Sequence, residues 1–224
     1  MKKRILGIAV LLLAVSLGLG AQTQETDAPE KASESQSFKA SIAMSNVDYR
    51  VTAGDVYTLA YAAGTLPVTY QMIVDSSYKM RVSNLAVIDV EGKTFIEAKA
   101  LVEQIVSRNY PLSGVQFVLS SPAVFTVKVT GEVLQTAEPQ VWPLSRLSSI
   151  LPPLVTPYAS SRDITIISRS GKTKTCDLFR ALRFGDLSQD PYLRPGDTIR
   201  VNRLSRSVKI EGAVERPGTY QLLA

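Results

Sequence analysis

The sequence Val-Lys-Val-Thr-Gly-Glu-Val at residues 127–133 recurs as Val-Lys-Ile-Glu-Gly-Ala-Val at residues 208–214. In both copies apolar residues alternate with polar ones up to a glycine, and a valine closes the motif. This alternation is typical of a strand with one buried face, and Gly131 and Gly212 can take the positive φ that a tight turn needs. The repeat therefore predicts that one small β-rich unit begins twice in this chain.

A shorter motif also occurs twice, as Gly54-Asp55 and as Gly196-Asp197, each directly before an apolar run. Glycine allows a positive φ, and the aspartate carboxylate can accept backbone amides, so each copy predicts a tight turn that leads into a strand. A Gly-Asp pair alone usually marks only a turn. The order of the motifs along the chain is therefore more informative than any single motif.

The residues between these motifs predict a β-rich α+β fold. Thr94 and Glu97 have the spacing of a capping box, and the apolar residues that follow recur at helical spacing up to about Arg108. A second helix is predicted from Pro143 to about residue 151, and a short third one over 178–184. Strands are predicted at 49–52, 56–61, 67–74, 86–90, 115–119, 124–130, 164–168, 172–176, 198–202 and 208–214.

Composition excludes several classes of chemistry. The chain has 224 residues with 45% hydrophobic and 20% charged residues, which is ordinary for a globular protein. It has no His, which excludes His-based catalytic triads and His-ligated metal sites, and its single Cys excludes an intramolecular disulfide. We find no acid/base pair and no nucleophile motif. The sequence thus predicts a protein that is not an enzyme and needs no cofactor.

The N-terminus has the pattern of an export signal. Three basic residues precede an uncharged apolar stretch of 15 residues, Ile5 to Leu19, and small residues follow it. This predicts a signal peptide over 1–21, although an uncleaved anchor is the alternative. The polar residues 22–46 predict a disordered linker. Because the only Cys is Cys176, no N-terminal lipid is expected, and the protein is predicted to be exported to a periplasm.

The order of motifs resembles bacterial outer-membrane polysaccharide export proteins of the Wza type. These proteins carry a polysaccharide export domain followed by soluble-ligand-binding β-grasp (SLBB) domains. The resemblance covers roughly residues 47–224. It rests on the Tyr-x-Val-x-x-Gly-Asp opening at 49–55, the Gly-Lys-Thr…Glu-Ala helix start at 92–98, the strand and turn at 129–133, Asp-Leu at 177–178, Leu-Arg-Pro-Gly-Asp at 193–197, and the segment 208–220 with Pro217 and Gly218.

The resemblance implies a polysaccharide export domain at 47–122, an SLBB β-grasp domain at 123–206 and the start of a second SLBB copy at 207–224. Two departures stand out. The Asp-Gly and Leu-Pro/Leu-Gly turns usual in the first domain are missing from 74–85, so that hairpin should be built differently. The second copy stops after 17 residues, Val208 to Ala224, so the chain is either a fragment or a soluble variant.

By resemblance, the protein is a non-enzymatic component of a capsular or exopolysaccharide export apparatus in the periplasm or at the outer membrane. It would form or line a ring-like conduit as a homo-oligomer, with polysaccharide and an inner-membrane polysaccharide co-polymerase as partners. The alternative is a soluble periplasmic protein that binds a glycan or a small ligand and forms no conduit. Nucleic acid is not expected as a partner, because the chain is exported and lacks a stacking motif that combines aromatic and basic residues.

One charge asymmetry is a candidate contact surface. Residues 162–216 contain twelve Lys or Arg against seven Asp or Glu. Arg194, Arg200, Arg203 and Arg206 are its predicted centre, as a surface for an acidic glycan or an acidic neighbouring subunit. An ordinary solvated basic face is the alternative interpretation.

We expect the exported protein to begin near Gln22 and to carry no lipid, because a small-residue cleavage site follows the apolar stretch and no Cys is available there. N-terminal sequencing and intact mass of the periplasmic protein check this. Retention of Met1, or an acyl adduct, would contradict it.

Overall fold

The computed structural model describes residues 28–222 as a mixed α+β chain. The predicted signal peptide and residues 22–27 lie outside this range. The helices are α1 (Ala28–Ser45), α2 (Phe95–Asn109), α3 (Leu147–Ile150) and α4 (Leu178–Phe184), with a short 3₁₀ helix at Leu187–Gln189. The strands are β1 (Val56–Ala63), β2 (Leu66–Ile73), β3 (Lys79–Val82), β4 (Ala86–Asp89), β5 (Gln116–Ser121), β6 (Phe125–Thr126), β7 (Lys128–Gly131), β8 (Gln140–Val141), β9 (Ala159–Ile167), β10 (Thr173–Cys176), β11 (Thr198–Arg203), β12 (Ser207–Ile210) and β13 (Gly218–Gln221).

The first core forms around a three-stranded antiparallel sheet in the order β2-β1-β5, with the hairpin β3-β4 beside it. Helix α2 begins at the predicted capping box: the Thr94 hydroxyl accepts from the Glu97 amide, and the Glu97 carboxylate accepts from the Thr94 amide at 2.7 Å. Its apolar stripe is buried, and Phe95 stacks with Tyr57 and Phe117 across the sheet. Burial of this stripe, rather than helix propensity alone, holds α2 in place.

The second core forms on a four-stranded sheet in the order β10-β9-β11-β7, in which β7 and β11 are parallel. Helices α3 and α4 contribute Leu147, Leu178 and Ala181 to this core. Trp142 and Leu144 lie between β8 and α3, next to residues of the second core, but they pack against the first core. The two cores are therefore in contact. Within residues 28–222, none of the helices combines the length and the hydropathy needed to span a bilayer.

The disordered linker predicted over 22–46 is wrong for residues 28–45, which form helix α1. Ala40 and Ala43 are buried, and Met44 packs against the first core. The Met44 sulfur also accepts the Leu119 amide at 3.3 Å, which places the helix against strand β5. Small side chains allow this close approach. Because they contribute little hydrophobicity, the polar composition concealed a packed helix.

Other predicted elements are shorter than expected. Residues 49–52 form no strand; Arg50 makes only an isolated bridge to Thr94. The strand predicted over 124–130 is split into β6 and β7. The helix predicted from Pro143 begins only at Leu147, because residues 142–145 form a turn in which the Ser145 amide donates to the Trp142 carbonyl.

The hairpin at 74–85 is built without glycine, since none occurs in this segment. Tyr78 and Ser83 take positive φ values of +56° and +50°. The Asp75 carboxylate accepts the amides of Ser77 and Lys79 at 2.8 and 2.9 Å. These side-chain hydrogen bonds stabilise a turn that glycine would otherwise provide.

Both Gly-Asp turns have the same backbone geometry. Gly54 and Gly196 have φ of +96° and +83°. In each turn the aspartate carboxylate accepts the amide three residues earlier, from Thr52 to Asp55 at 2.9 Å and from Arg194 to Asp197 at 2.8 Å. The positive φ and the backbone hydrogen bonds expected from the sequence are therefore present in both.

The first turn carries a buried carboxylate that accepts four hydrogen bonds. Asp55 Oδ1 accepts from the Tyr49 hydroxyl at 2.7 Å and from the Ala123 amide at 2.8 Å. Asp55 Oδ2 accepts from the Thr52 amide at 2.9 Å and from the Tyr57 hydroxyl at 3.0 Å. Burial raises the pKa of Asp55, and these four hydrogen bonds oppose that shift.

Asp55→Asn should destabilise the protein by about 2–4 kcal/mol, because each carboxylate oxygen faces a backbone amide and either amide orientation would set an N–H against another N–H. Asp197→Asn is the matched control. The Asp197 carboxylate accepts only the Arg194 amide among the described residues, so an asparagine oxygen can replace it at a cost of about 1 kcal/mol or less. Urea denaturation of both variants checks this. Equal losses would contradict the role given to Asp55.

Candidate functional site

The repeated sequence forms the same hairpin twice. Two pairings of the first hairpin recur in the second at the same offset as the repeated sequence. The matched pairs are Thr126 with Gln140 and Ser207 with Gln221, then Val129 with Ala137 and Ile210 with Gly218. The sequence repeat is thus a structural repeat.

The turn after each strand is also the same. Gly131 and Gly212 have φ of +94° and +95°. The Val133 amide donates to the Gly131 carbonyl at 2.8 Å, and the Val214 amide to the Gly212 carbonyl at 2.9 Å. Because backbone angle and hydrogen bond agree in both copies, the motif specifies its local structure independently of its surroundings.

The surroundings of the two copies differ. Val127 and Val129 are buried in the second core, whereas their equivalents Val208 and Ile210 are 40% and 37% exposed. Strand β7 pairs with β11, whereas within residues 28–222 strand β12 pairs only with β13. The face that is core in the first copy is therefore open in the second.

The second hairpin is attached to the rest of the chain by Gln221. Its side-chain oxygen accepts the Ser161 amide at 2.9 Å, and its side-chain nitrogen donates to the Ala159 carbonyl at 3.3 Å. Gly218 begins strand β13, and Pro217 directly precedes it. The hairpin is thus held at the start of β9 while its apolar face stays open.

The structure separates the four arginines of the predicted basic surface. Arg200 and Arg203 lie on β11, where Arg203 is placed over the Tyr158 ring at 5.3 Å, and Arg206 follows in the connection to β12. Arg194 lies in the second Gly-Asp turn and lines a cleft that the other three do not line. The predicted surface is therefore two separate features.

The cleft that contains Arg194 lies between the two cores and has a volume of about 420 Å³. It is strongly basic, with four cationic side chains and a single carboxylate. We refer to it as the basic cleft. It is lined by Asp48, Arg50, Thr94, Arg146, Lys174, Leu187, Ser188, Pro191, Tyr192 and Arg194.

Backbone carbonyls position two of the four cations. Arg50 Nη1 donates to the Gly92 carbonyl at 3.1 Å, and Lys174 Nζ donates to the Ser188 carbonyl at 2.7 Å. Arg50 is also placed by its own backbone, because its bridge to Thr94 fixes it beside the start of helix α2. A neutral carbonyl orients a cation and leaves its charge uncompensated.

Arg146 is the most tightly held of the four. Its Nη1 donates to the Asp190 carbonyl at 2.6 Å, and its guanidinium lies 4.1 Å from the centre of the Tyr192 ring. The Asp190 carboxylate accepts from the Ser148 amide and hydroxyl at 2.8 and 2.7 Å, so it fixes the first turn of α3. The start of α3 and the loop before β11 are thereby joined at the cleft wall.

Arg194 is half-buried and its guanidinium has no hydrogen bond or ion pair to any other residue in the described range 28–222. Burial lowers the pKa of Arg194, the nearby charge of Arg50 lowers it further, and the Asp197 carboxylate opposes both effects. An arginine remains charged despite such a shift, because its ordinary pKa is above 12. The cleft thus holds a charged, partly desolvated side chain with free donors.

Sequence reasoning found Arg194 and missed Arg50, Arg146 and Lys174. The three missed residues lie in different predicted elements, far apart along the chain, and each looks like an ordinary exposed cation in its own segment. The one local signal is that Arg50 and Arg194 both lie within a segment that ends in a Gly-Asp turn. Only the contact between the two cores brings all four together.

Among residues 28–222 no group of three His, Cys, Asp or Glu side chains could hold a metal ion. Cys176 is buried, which raises the pKa of its thiol and keeps it from reacting as a thiolate. Glu132, beside the first repeated glycine, accepts the Thr156 hydroxyl at 2.7 Å and has a structural role.

No known protein-family model matches the chain, and no curated protein matches it.

Gly131→Ala should destabilise the protein far more than Gly212→Ala, although both glycines have the same φ. A Cβ at Gly131 would lie 2.1 Å from the Val201 carbonyl oxygen on β11, whereas a Cβ at Gly212 would meet nothing within 4 Å. We expect about 1–2 kcal/mol of positive-φ strain in both variants, and about 2 kcal/mol or more in addition for Gly131→Ala. Chemical denaturation measures the difference. Equal losses would show that β7 can move away from β11 freely.

Proposed function

We propose that the protein is a non-enzymatic component of a polysaccharide export apparatus, with β-grasp units that assemble into a ring-like conduit. The observation that carries the proposal is the repeated hairpin: one β unit is complete and a second copy of its opening follows directly. Tandem small β units of this kind, behind an export-type first domain, are what the motif order resembles.

The second hairpin supplies a physical reason for assembly. Its strand β12 has an unpaired edge among the described residues, and the face formed by Val208, Ile210 and Val214 is partly exposed. In the first copy the equivalent face is covered and the equivalent edge is paired with β11. An open strand edge with apolar side chains favours addition of a neighbouring chain. If that head-to-tail contact closes on itself, the product is a ring.

Electrostatics adds a second contribution. Arg200, Arg203 and Arg206 flank β12 on its N-terminal side, where they would meet acidic groups of a neighbouring subunit or of a passing acidic glycan. Contacts between exposed charges are screened within about 8–10 Å at physiological ionic strength. Assembly that depends on them should therefore weaken as salt is raised.

The second candidate is a soluble periplasmic protein that binds a glycan or small ligand without forming a conduit. The basic cleft favours it, since a cleft of about 420 Å³ between two units is within the usual size of ligand sites. The two candidates differ in oligomeric state. A conduit requires a closed oligomer, whereas a binding protein functions as a monomer.

We expect the protein, purified from a bacterial periplasm with α1 retained, to sediment as an oligomer at low salt and to shift toward monomer as salt rises. Ile210→Ser should weaken the oligomer, because it removes apolar surface from the open hairpin face. Leu112→Ser is the control, since Leu112 is fully exposed on a loop of the first unit. Analytical ultracentrifugation over a concentration series measures both effects.

A monomer at every salt and protein concentration would overturn the conduit proposal and favour the binding protein. An oligomer that both serine variants weaken equally would contradict the assignment of the hairpin face as the contact.

A further inference from the structure

The basic cleft is built in a way that leaves its charge available. Four cations line it against one carboxylate, that of Asp48. The ion pairs found in the described range involve other residues, so none of the four is neutralised by a partner within 4 Å. Unpaired cations of one sign, gathered in a concave site with low-dielectric walls, concentrate the local potential. A cleft of this kind attracts anions.

The four cations differ from mobile surface charges because most of them are already held in place. Arg146 lies on Tyr192, and Arg50, Arg146 and Lys174 each use one donor on a backbone carbonyl. Their remaining donors are free to bind a ligand. Because these side chains are positioned beforehand, a ligand would lose less conformational entropy in ordering them.

Arg194 is the central residue of the site. It lines the basic cleft with a guanidinium that makes no hydrogen bond to a described residue, and its backbone is fixed by the Gly-Asp turn, in which Asp197 accepts the Arg194 amide. A planar guanidinium with free donors matches the two oxygens of a carboxylate or phosphate in a bidentate geometry. An anionic group bound there would replace the water that this half-buried cation has lost.

Of the two clefts that Arg194 lines, only the basic cleft has an excess of positive charge. Arg194 also lines a second cleft, with Arg169, Glu91 and Asp197. That cleft has two cations and two carboxylates, so its lining is neutral overall. The basic cleft is therefore the one suited to an anion.

We propose that the basic cleft binds the anionic group of an acidic saccharide, a carboxylate or a phosphate, with Arg194, Arg50 and Lys174 as its principal contacts. The carboxylate of Asp48 lies in the same lining and suits the hydroxyl groups of a sugar ring. The choice of a saccharide rests on the proposed function. The choice of an anion rests on the cleft alone.

Because the cleft lies between the two units, the ligand would contact both. Arg50 belongs to the first unit, and Lys174 and Arg194 belong to the second. Binding should therefore raise the melting temperature as well as give a saturable titration, since a ligand that binds only the folded protein stabilises it.

Isothermal titration tests the proposal with three probes: a glucuronic-acid oligosaccharide, a sugar phosphate and a neutral oligosaccharide of the same length. We expect an anionic probe to bind and the neutral probe to bind at least tenfold more weakly. Lys174→Gln and Arg50→Gln, both at exposed positions, should each weaken binding about tenfold or more, as expected for the loss of one charge-assisted hydrogen bond. Arg81→Gln is the matched control, because it removes one exposed arginine, on strand β3 and outside the cleft lining, and should change affinity less than twofold.

Preference for the uronate or for the phosphate identifies the anionic group, and either supports the proposal. Equal losses in Arg81→Gln and in the two cleft variants would overturn it, since they would show attraction to net charge only. Absence of binding by both anionic probes would also overturn it. Sedimentation reports assembly separately, so an oligomer without anion binding would refute this site and leave the conduit proposal standing.

Arg194→Lys provides a second measurement at the half-buried position, where a larger change could disturb folding. The lysine keeps the charge and loses the planar fork, so we expect binding to weaken several-fold with an unchanged circular dichroism spectrum. Unchanged affinity would contradict the bidentate role of Arg194.

Discussion

The rest of the structure depends on the four hydrogen bonds that the buried Asp55 carboxylate accepts. The carboxylate joins the segment before the first sheet, the first strand of that sheet and the residue that follows its last strand, through Tyr49, Tyr57 and Ala123. A buried carboxylate is stable only when donors replace its lost hydration, and here four donors do so. The two tyrosine hydroxyls keep their protons, because burial and the neighbouring carboxylate both raise their pKa.

This arrangement also fixes where the second unit begins. The Ala123 amide is held by Asp55, and strand β6 starts two residues later, so the exit from the first unit has a defined position and direction. The second Gly-Asp turn lies close enough to this buried cluster for the charge of Arg194 to influence the pKa of Tyr49. Arg194 lines clefts with residues of both units, so the second turn lies at the boundary between them, where the basic cleft is found.

The repeated hairpin shows how one local structure can have two different roles. In the first copy the hairpin contributes β7 to a sheet, and its apolar side chains lie in the second core. In the second copy the equivalent residues are partly exposed and form an open surface. Gly131 is required because strand β11 passes directly against it, whereas Gly212 has the same φ with open space around it. The same sequence motif thus forms part of a folded core in the first copy and a surface open to a neighbouring chain in the second. This is the physical basis of the proposed assembly.

The sequence alone determined the features that depend on neighbours along the chain. The capping box at Thr94, the positive φ at Gly54, Gly131, Gly196 and Gly212, and the repeat itself follow from local sterics and short-range hydrogen bonds. The tertiary structure decided the rest. Helix α1 is held by burial of Ala40 and Ala43, which a polar composition does not reveal, and the basic cleft needs Arg50, Arg146, Lys174 and Arg194 from separate elements. Each of these residues looks like an ordinary surface charge in its own segment, because charge has no periodicity that indicates its partners. Only the packing of one core against the other places the four together and leaves them unpaired.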